Sequence, residues 1–323
     1  MAAIAITGAT GFLGGALSRR LLAEGQPVIA LGRDAVKLAT LEALGARCIA
    51  HDLGSGAPPE PDRPVAAVVH CAGLSSNWGD RAAFQAANVD GTRAALTFAS
   101  DAGAARFIHI STPSLYFRFR DQPLVREDAV LPPPVNAYAA TKSEAEKLVL
   151  EQTGLDPVIL RPRGLYGSGD AALLPRLLRA ARSGPLPLIR NGRAETDLTH
   201  IDDVVDAVLA ALAVPAFSGR RIFNVSGGEP LPVRRIAEAA GACAGVSVRW
   251  RSMPSGAVLA AASLIELAAR LRPGKPEPRV TAYSAGLFAF TQTLDISAAR
   301  THLGWAPAIS FEEGLARTFR PRT

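Results

Sequence analysis

Tyr138 and Lys142 stand four residues apart in the run Tyr138-Ala139-Ala140-Thr141-Lys142. On a helix that spacing stacks the phenol and the ammonium on one face. A free phenol, with a pKa near ~10, exchanges protons poorly at neutral pH. A neighbouring cation favours the phenolate, and moving the pKa by about three units takes roughly 4 kcal/mol of differential stabilisation. Tuned in this way, a tyrosine protonates the alkoxide left when hydride reduces a carbonyl, or accepts the proton when an alcohol is oxidised. That chemistry needs a redox partner, and Thr7-Gly8-Ala9-Thr10-Gly11-Phe12-Leu13-Gly14 offers it a seat. Glycines allow a tight turn and close approach of backbone N–H groups to a pyrophosphate. The helix that follows adds unpaired donors and partial positive charge.

The elements around these groups alternate. Ala3–Ile6, Pro27–Leu31, Arg47–Ala50, Ala66–His70, Arg106–Ile110 and Pro157–Leu160 are apolar nearly throughout, as strands buried on both faces require. Helix-length segments such as Leu13–Glu24 and Ala82–Ala99 separate them, with Leu13, Leu17 and Leu21 on one stripe. The pattern predicts an α/β fold, a doubly wound parallel sheet with helices on both faces. After Tyr166 it loosens: Leu173–Ser183 and Asp202–Leu212 read as helices, Arg221–Val225 as a strand, and proline, glycine and short helices dominate from Gly228. The expected division is a nucleotide-binding domain over residues 1–167 plus about 197–227, and a smaller, discontinuous substrate lobe over about 168–196 plus 228–323.

Composition excludes several classes. The 323 residues carry 35 Lys+Arg against 29 Asp+Glu, a net charge of +6 with no basic block, which argues against nucleic acid as a partner. Cys48, Cys71 and Cys243 are odd in number and widely spaced, and the five histidines lack ligand spacing, so neither disulfides nor a metal site are expected. The N-terminus has no basic segment before its apolar start, so no signal peptide is read there. Gly256–Leu271 is interrupted by Ser263, Glu266 and Arg270, too short and polar to span a bilayer. Core packing is its favoured reading, ahead of a membrane-surface helix or the wall of an apolar pocket. A cytoplasmic location is expected.

The GxxGxxG spacing of Gly8, Gly11 and Gly14, with the motifs below, resembles the extended short-chain dehydrogenase/reductase family, also called the NAD-dependent epimerase/dehydratase superfamily. The resemblance runs along nearly the whole chain and implies a Rossmann-type sheet. It implies cofactor contacts from Gly8, Thr10, Gly11, Phe12, Leu13 and Gly14, from Asp52 and Leu53 near the adenine, and from Cys71, Ala72 and Gly73 along the pyrophosphate and ribose. Asn88-Val89-Asp90-Gly91-Thr92 resembles the family's NVxGT motif, and Leu160-Arg161-Pro162-Arg163-Gly164-Leu165-Tyr166-Gly167 its LRP…YG segment, which makes Asn88 and Pro162 further contacts. Where the family places an acid to hold the ribose of NAD, this chain reads Leu31-Gly32-Arg33-Asp34. A carboxylate would repel a 2′-phosphate, whereas Arg33 can bind one bidentately, so NADP(H) is expected, with NAD(H) the alternative.

Family alignment also assigns the substrate-orienting hydroxyl to Thr112, with Ser111 and Ser114 as rivals, while Tyr138 and Lys142 serve as acid/base and as cofactor contacts. His109, inside an apolar strand, is expected to be packed or hydrogen-bonded, and His200 to support the lobe junction. Phe117-Arg118-Phe119-Arg120 is equally a solvated strand end or a substrate gate. The C-terminal part resembles the 3β-hydroxysteroid dehydrogenase-like branch, which implies a ketone or secondary alcohol on an apolar, sterol-like or fatty β-keto body. The alternatives are a nucleotide-sugar epimerase or dehydratase with tightly held NAD, for which Arg193 is a candidate phosphate contact, and a non-catalytic dinucleotide sensor. Relatives in the family often form homodimers.

Overall fold

A computed structural model describes residues 1–216, 219, 221–278 and 280–320. Seven strands form one parallel sheet: β1 (Ala3–Thr7), β2 (Val28–Gly32), β3 (Arg47–Ala50), β4 (Val65–His70), β5 (Arg106–Ile110), β6 (Asp156–Pro162) and β7 (Ile222–Val225). Their spatial order is β7-β6-β5-β4-β1-β2-β3. The strand order therefore reverses between β1 and β4, the switch point outside whose carboxyl ends ligands bind in such sheets. Alternation along each strand feeds two cores. Ile4 and Ile6 of β1 join Leu13, Leu17, Val204 and Val208 on one face, while Ala3 and Ala5 join Leu31, Phe98 and Phe107 on the other.

The helices arise largely where expected. Phe12–Ala23 follows the glycine loop, Ala137–Glu151 carries the tyrosine and lysine, and Ile201–Ala213 starts one residue before the reading from sequence. Asn136 caps the Ala137–Glu151 helix by accepting from Ala139 N–H at 2.8 Å, a contact that fixes where the helix begins. The lobe contains Leu174–Ser183, Val233–Cys243 and Phe311–Phe319, packed through Leu178, Ile236 and Leu315. Between them Ile296, Ala299, Leu303 and Trp305 return to the core of the large sheet. A four-stranded sheet joins Gln122–Val125, Glu195–Thr196, Leu231–Pro232 and Gln292–Leu294, and so ties the lobe to the loop after β5.

The Ser255–Leu271 helix departs from its expected role as a core element. It buries only Val258, Ala262 and Ala269, while Leu264, Leu267 and Leu271 are 67%, 55% and 78% exposed. Its run of leucines and alanines is apolar on more than one face, and periodicity could not say which face the lobe would cover. Among the described residues no helix is long and apolar enough to cross a membrane, and no cluster of His, Cys, Asp and Glu could hold a metal ion.

Candidate active site

The loop after β1 and the loop after β4 touch. Gly8 has a φ of +66°, and a Cβ there would come within 2.7 Å of Ala72 N, so only glycine satisfies both the turn and the contact. A Cβ at Gly14 would overlap the Gly8 carbonyl, which draws the helix tight against the turn. Gly11 caps Phe12–Ala23 without any side chain on the first-turn N–H groups, leaving them facing the switch point. The cradle has the size limits and donor set of a pyrophosphate site, and thus fits a dinucleotide.

At the end of β2 the side chain of Thr10 lies over Gly32, where a Cβ would sit 2.7 Å from Thr10 Cγ2. A carboxylate-bearing residue has no room at that position. Asp34 instead caps the Ala35–Glu42 helix, accepting from Lys37 N at 3.1 Å. Arg33 is 76% exposed and lies 3.6 Å from Asp52, itself the cap of a short turn at Leu53–Ser55. One guanidinium therefore marks the rim where the adenosine ribose would lie.

Tyr138, Thr112 and Lys142 converge beyond the β5 end. Thr112 is 7% exposed, and its hydroxyl and that of Ser75 stand beside the Tyr138 phenol. Burial pushes the Tyr138 phenol up, and the two hydroxyls pull it back toward ionisation. The expected tuning by Lys142 takes a different form. Its ammonium donates to the Ile110 carbonyl at 2.6 Å and lies 3.0 Å from His109 Nε2, so two of its three N–H groups are committed. Burial lowers the Lys142 pKa to about 8, against the opposing charges of Glu146 and Cys71.

Behind Lys142 lies a buried polar row. Thr7, His70 and His109 are register partners on adjacent strands, and the imidazoles stack at 5.3 Å between centroids. Thr92 donates to Asn88 O at 2.6 Å and so must accept from His70 Nε2–H at 3.0 Å. His70 Nδ1 then accepts from Thr7 at 2.7 Å, and Thr7 in turn accepts from Ala72 N–H at 3.3 Å. One His70 tautomer satisfies Thr7, His70 and Thr92 together and ties them to the loop after β4, while His109 Nδ1 is buried without a partner among the described residues. Burial holds His70 neutral, with its pKa lowered to about 3.

Asn88 sits in a π-helical stretch, Gln85–Asp90, that re-aims its amide inward. Its Oδ1 accepts from Leu74 N–H at 2.7 Å and its Nδ2 donates to Thr141 at 3.0 Å. It therefore braces the loop after β4 against the catalytic helix. Glu146 of that helix and Arg161 of β6 form a buried pair, with Nε–Oε1 at 2.8 Å.

The sequence matches the model of the NAD dependent epimerase/dehydratase family over residues 4–226. The chain belongs to that family. It is 32% identical over 330 residues to a 2-alkyl-3-oxoalkanoate reductase of Stenotrophomonas maltophilia, with 97% of each chain covered. It is also 31% identical over 243 residues to the decarboxylating sterol-4-alpha-carboxylate 3-dehydrogenase of Homo sapiens, over 70% of this chain and 62% of that one. The structure of MoeE5 in complex with UDP-glucuronic acid and NAD matches with a TM-score of 0.73 at 25% identity, over 98% of this chain and 97% of that one. As a member of this epimerase/dehydratase family the chain is an NAD(P)-dependent enzyme of the extended short-chain dehydrogenase/reductase type, with the Rossmann-like sheet expected from its sequence.

Within the family frame, the structure gathers the glycine loop, Cys71-Ala72-Gly73, Thr112, Tyr138 and Lys142 at the carboxyl end of the sheet. Asp52, Leu53 and Arg33 follow the ends of β3 and β2, with Arg33 3.6 Å from Asp52, and Pro162 ends β6. Of the rivals to Thr112, Ser114 accepts from Thr112 at 3.0 Å, and the buried Ser111 hydroxyl has no partner among the described residues. His200 is buried, accepts from Asp202 N–H and packs edge-on to Tyr166. Ser75 and Tyr283 escaped the reading from sequence. Ser75 sits in a loop without motif, and Tyr283 lies 169 residues from the Ser114 it touches.

Proposed function

We propose that the protein is an NADP(H)-dependent oxidoreductase that interconverts a ketone and a secondary alcohol on an apolar substrate. One observation carries this reading: the Tyr138 phenol, flanked by the Thr112 and Ser75 hydroxyls, stands at the carboxyl end of the sheet beside a glycine cradle. Thr112 orients the carbonyl oxygen, and Tyr138 delivers its proton to that oxygen or takes it back. The nicotinamide, when bound, supplies or accepts the hydride. Lys142 holds the ribose with its remaining N–H while Ile110 O and His109 fix its direction. Removal of a positioned acid/base costs about 100-fold to 10,000-fold in rate. Tyr138→Phe is therefore expected to lose at least about 100-fold in kcat, and a variant that keeps most of its kcat refutes the assignment.

For the cofactor, the closed Gly32 position and the engaged Asp34 leave no acid at the end of β2 for a ribose diol, and Arg33 faces that place. NADPH is expected to be used at a lower KM than NADH, and Arg33→Ala is expected to narrow the gap. A strong NADH preference that survives Arg33→Ala overturns the NADP(H) assignment. For the substrate, an open, mostly apolar cleft of about 500 Å³ lies among Phe117, Arg118, Phe119, Val130, Leu131, Pro132 and Val135. Phe117 also packs edge-on against Tyr283 at 4.9 Å, whose phenol meets the Ser114 hydroxyl next to Thr112. The likeness to MoeE5 favours a second reading, a nucleotide-sugar enzyme, which requires protein purified with tightly held NAD(H). A sensor without catalysis has no need of the assembled Tyr138, Thr112 and Lys142.

A further inference from the structure

The Ser255–Leu271 helix is apolar on the side that faces away from the protein. Val258, Ala262 and Ala269, the residues it buries, fall on one stripe. The opposite stripe carries Ala260, Leu264, Leu267, Ala268 and Leu271, all exposed, with Ser263 the one polar residue among them. At about 100° per residue these positions span less than half the circumference, so they form one continuous face. Helices on a globular surface normally put charged and polar groups there. A leucine exposed singly needs no explanation, whereas a continuous apolar face marks an interaction surface.

Both ends of this helix are basic. Arg249 and Arg251 precede it, and Arg270, Arg272 and Lys275 close it, all five exposed. Residues 249–278 contain two acids, and both are engaged: Glu266 accepts from Ala282 N–H at 2.8 Å, and Glu277 lies 3.4 Å from Arg176. The helix also touches segments that build the active site. The Arg270 guanidinium lies 5.5 Å from the ring centre of Trp78, and Trp78 Nε1 donates to Lys275 O at 2.9 Å. Trp78 belongs to the same loop as Ser75. Glu266 meets the chain just before Tyr283, whose phenol lies 2.8 Å from the Ser114 hydroxyl.

We propose that this face docks the protein on an anionic lipid surface, with the helix lying in the plane of the headgroups. An apolar face flanked by arginine and lysine suits that place: the leucines enter the acyl boundary and the cations meet the lipid phosphates. The dimensions argue against a second copy of the chain as the occupant. The 17 residues, at about 1.5 Å each, make a strip roughly 25 Å long, and at about 10 Å wide it offers roughly 250 Å². A stable interface takes about 800 Å² from each partner. Because both ends are basic, two such strips also set like charges together in either orientation. The inference goes beyond the function proposed above and does not rest on it, since docking requires no turnover. Once docked, the helix holds the Trp78 loop and the Tyr283 helix against the lipid boundary, where apolar molecules concentrate.

Flotation with lipid vesicles tests the docking, using phosphatidylcholine alone and phosphatidylcholine with about 30% phosphatidylglycerol. The wild type is expected to partition into the anionic vesicles at least about 10-fold more strongly than into the neutral ones, and to lose most of that preference in about 0.5 M salt. Leu264→Ser combined with Leu267→Ser and Leu271→Ser is expected to lower the partition at least about 10-fold, and Arg270→Gln with Arg272→Gln at least about 5-fold. Circular dichroism certifies the fold of each variant. If the triple variant does not fold, Ala260→Glu, on the same face, replaces it. A wild type that stays off both kinds of vesicle overturns the proposal, and equal partition into both overturns the anionic surface. Undiminished flotation of the leucine variant also overturns it, because the contact is then charge attraction without the helix. A protein that sediments as a dimer, becomes a monomer in the leucine variant and ignores vesicles gives the face to a second copy, which overturns it as well. None of these results bears on ketone reduction, which Tyr138→Phe tests separately.

Discussion

Changing Glu146 to glutamine keeps the shape of the catalytic helix and removes one charge. Tyr138, Lys142 and Glu146 are spaced four apart, so they share one stripe of Ala137–Glu151. Glu146 fixes the inner end of that stripe to β6, because its partner Arg161 is a strand residue. The Glu146 and Arg161 side chains are 5% and 2% exposed. Arg161 also hydrogen-bonds to Tyr116, with its guanidinium 4.8 Å from that ring centre, and Tyr116 donates to Asn224 at 2.9 Å. Burial works against the Arg161 charge, yet Glu146 and Tyr116 hold its pKa above the ordinary arginine value. Glu146→Gln strands that cation in the core. Breaking one side of such a pair costs about 3–5 kcal/mol. With a urea m-value of about 3 kcal/mol/M, the unfolding midpoint drops by roughly 1–1.7 M. Replacing both partners with apolar groups, Glu146→Leu with Arg161→Met, is expected to recover most of that loss. Urea unfolding followed by circular dichroism reads all three proteins. A Glu146→Gln midpoint within about 0.2 M of wild type refutes the claim that this pair anchors the catalytic helix.

Gly14→Ala drives a methyl group into the Gly8 carbonyl and opens the cradle, so NADPH affinity by fluorescence titration is expected to fall at least about 10-fold; Gly256→Ala, in open space, is the control. Lys142, with its pKa lowered to about 8, loses its proton as pH rises through that value. The Kd for NADP+ is therefore expected to rise above about pH 8 and to lose that dependence in Lys142→Met. His70, with its pKa lowered to about 3, and His109, also lowered by burial, stay neutral in the fold and become charged in the unfolded chain below about pH 6.5. Their stabilising share is complete above that pH and is lost as pH falls toward 3, at about 1.4 kcal/mol per unit for each histidine. Urea unfolding from pH 7 to 5 is expected to show the slope, and His109→Gln to reduce it.

The parts of the site that depend on neighbours in sequence were legible before the fold was known. The glycine turn works because each glycine stands where a Cβ would strike a nearby backbone, and its position between an apolar run and a helix announces that. Tyr138 and Lys142 were legible because helix geometry alone puts positions i and i+4 on one face. The continuous apolar runs located the strands because a parallel sheet covered on both faces leaves no side to water. The gain of Arg33 and the loss of an acid at Gly32 were also visible, whereas the reason for that loss was not: Thr10 comes from another strand end and fills the space.

What the chain hid were contacts made by register. Thr7, His70 and His109 lie on three strands separated by helices, and only the pairing of β1 with β4 and of β4 with β5 lines them up. Once they are aligned, each polar group has one role that the next requires, from the Ala72 N–H through His70 to Thr92. The same holds for Lys142. Read along the helix, it was the cation that tunes Tyr138; read across the sheet, it is directed by Ile110 O and His109. The proton chemistry at Tyr138 is then shared with the hydroxyls of Thr112 and Ser75, which arrive on the loops after β5 and β4. Both loops begin where strands on the catalytic side of the switch point end. The strand order that opens the crevice therefore also delivers its hydroxyls, and the acid/base group needs both the helix and the sheet to work.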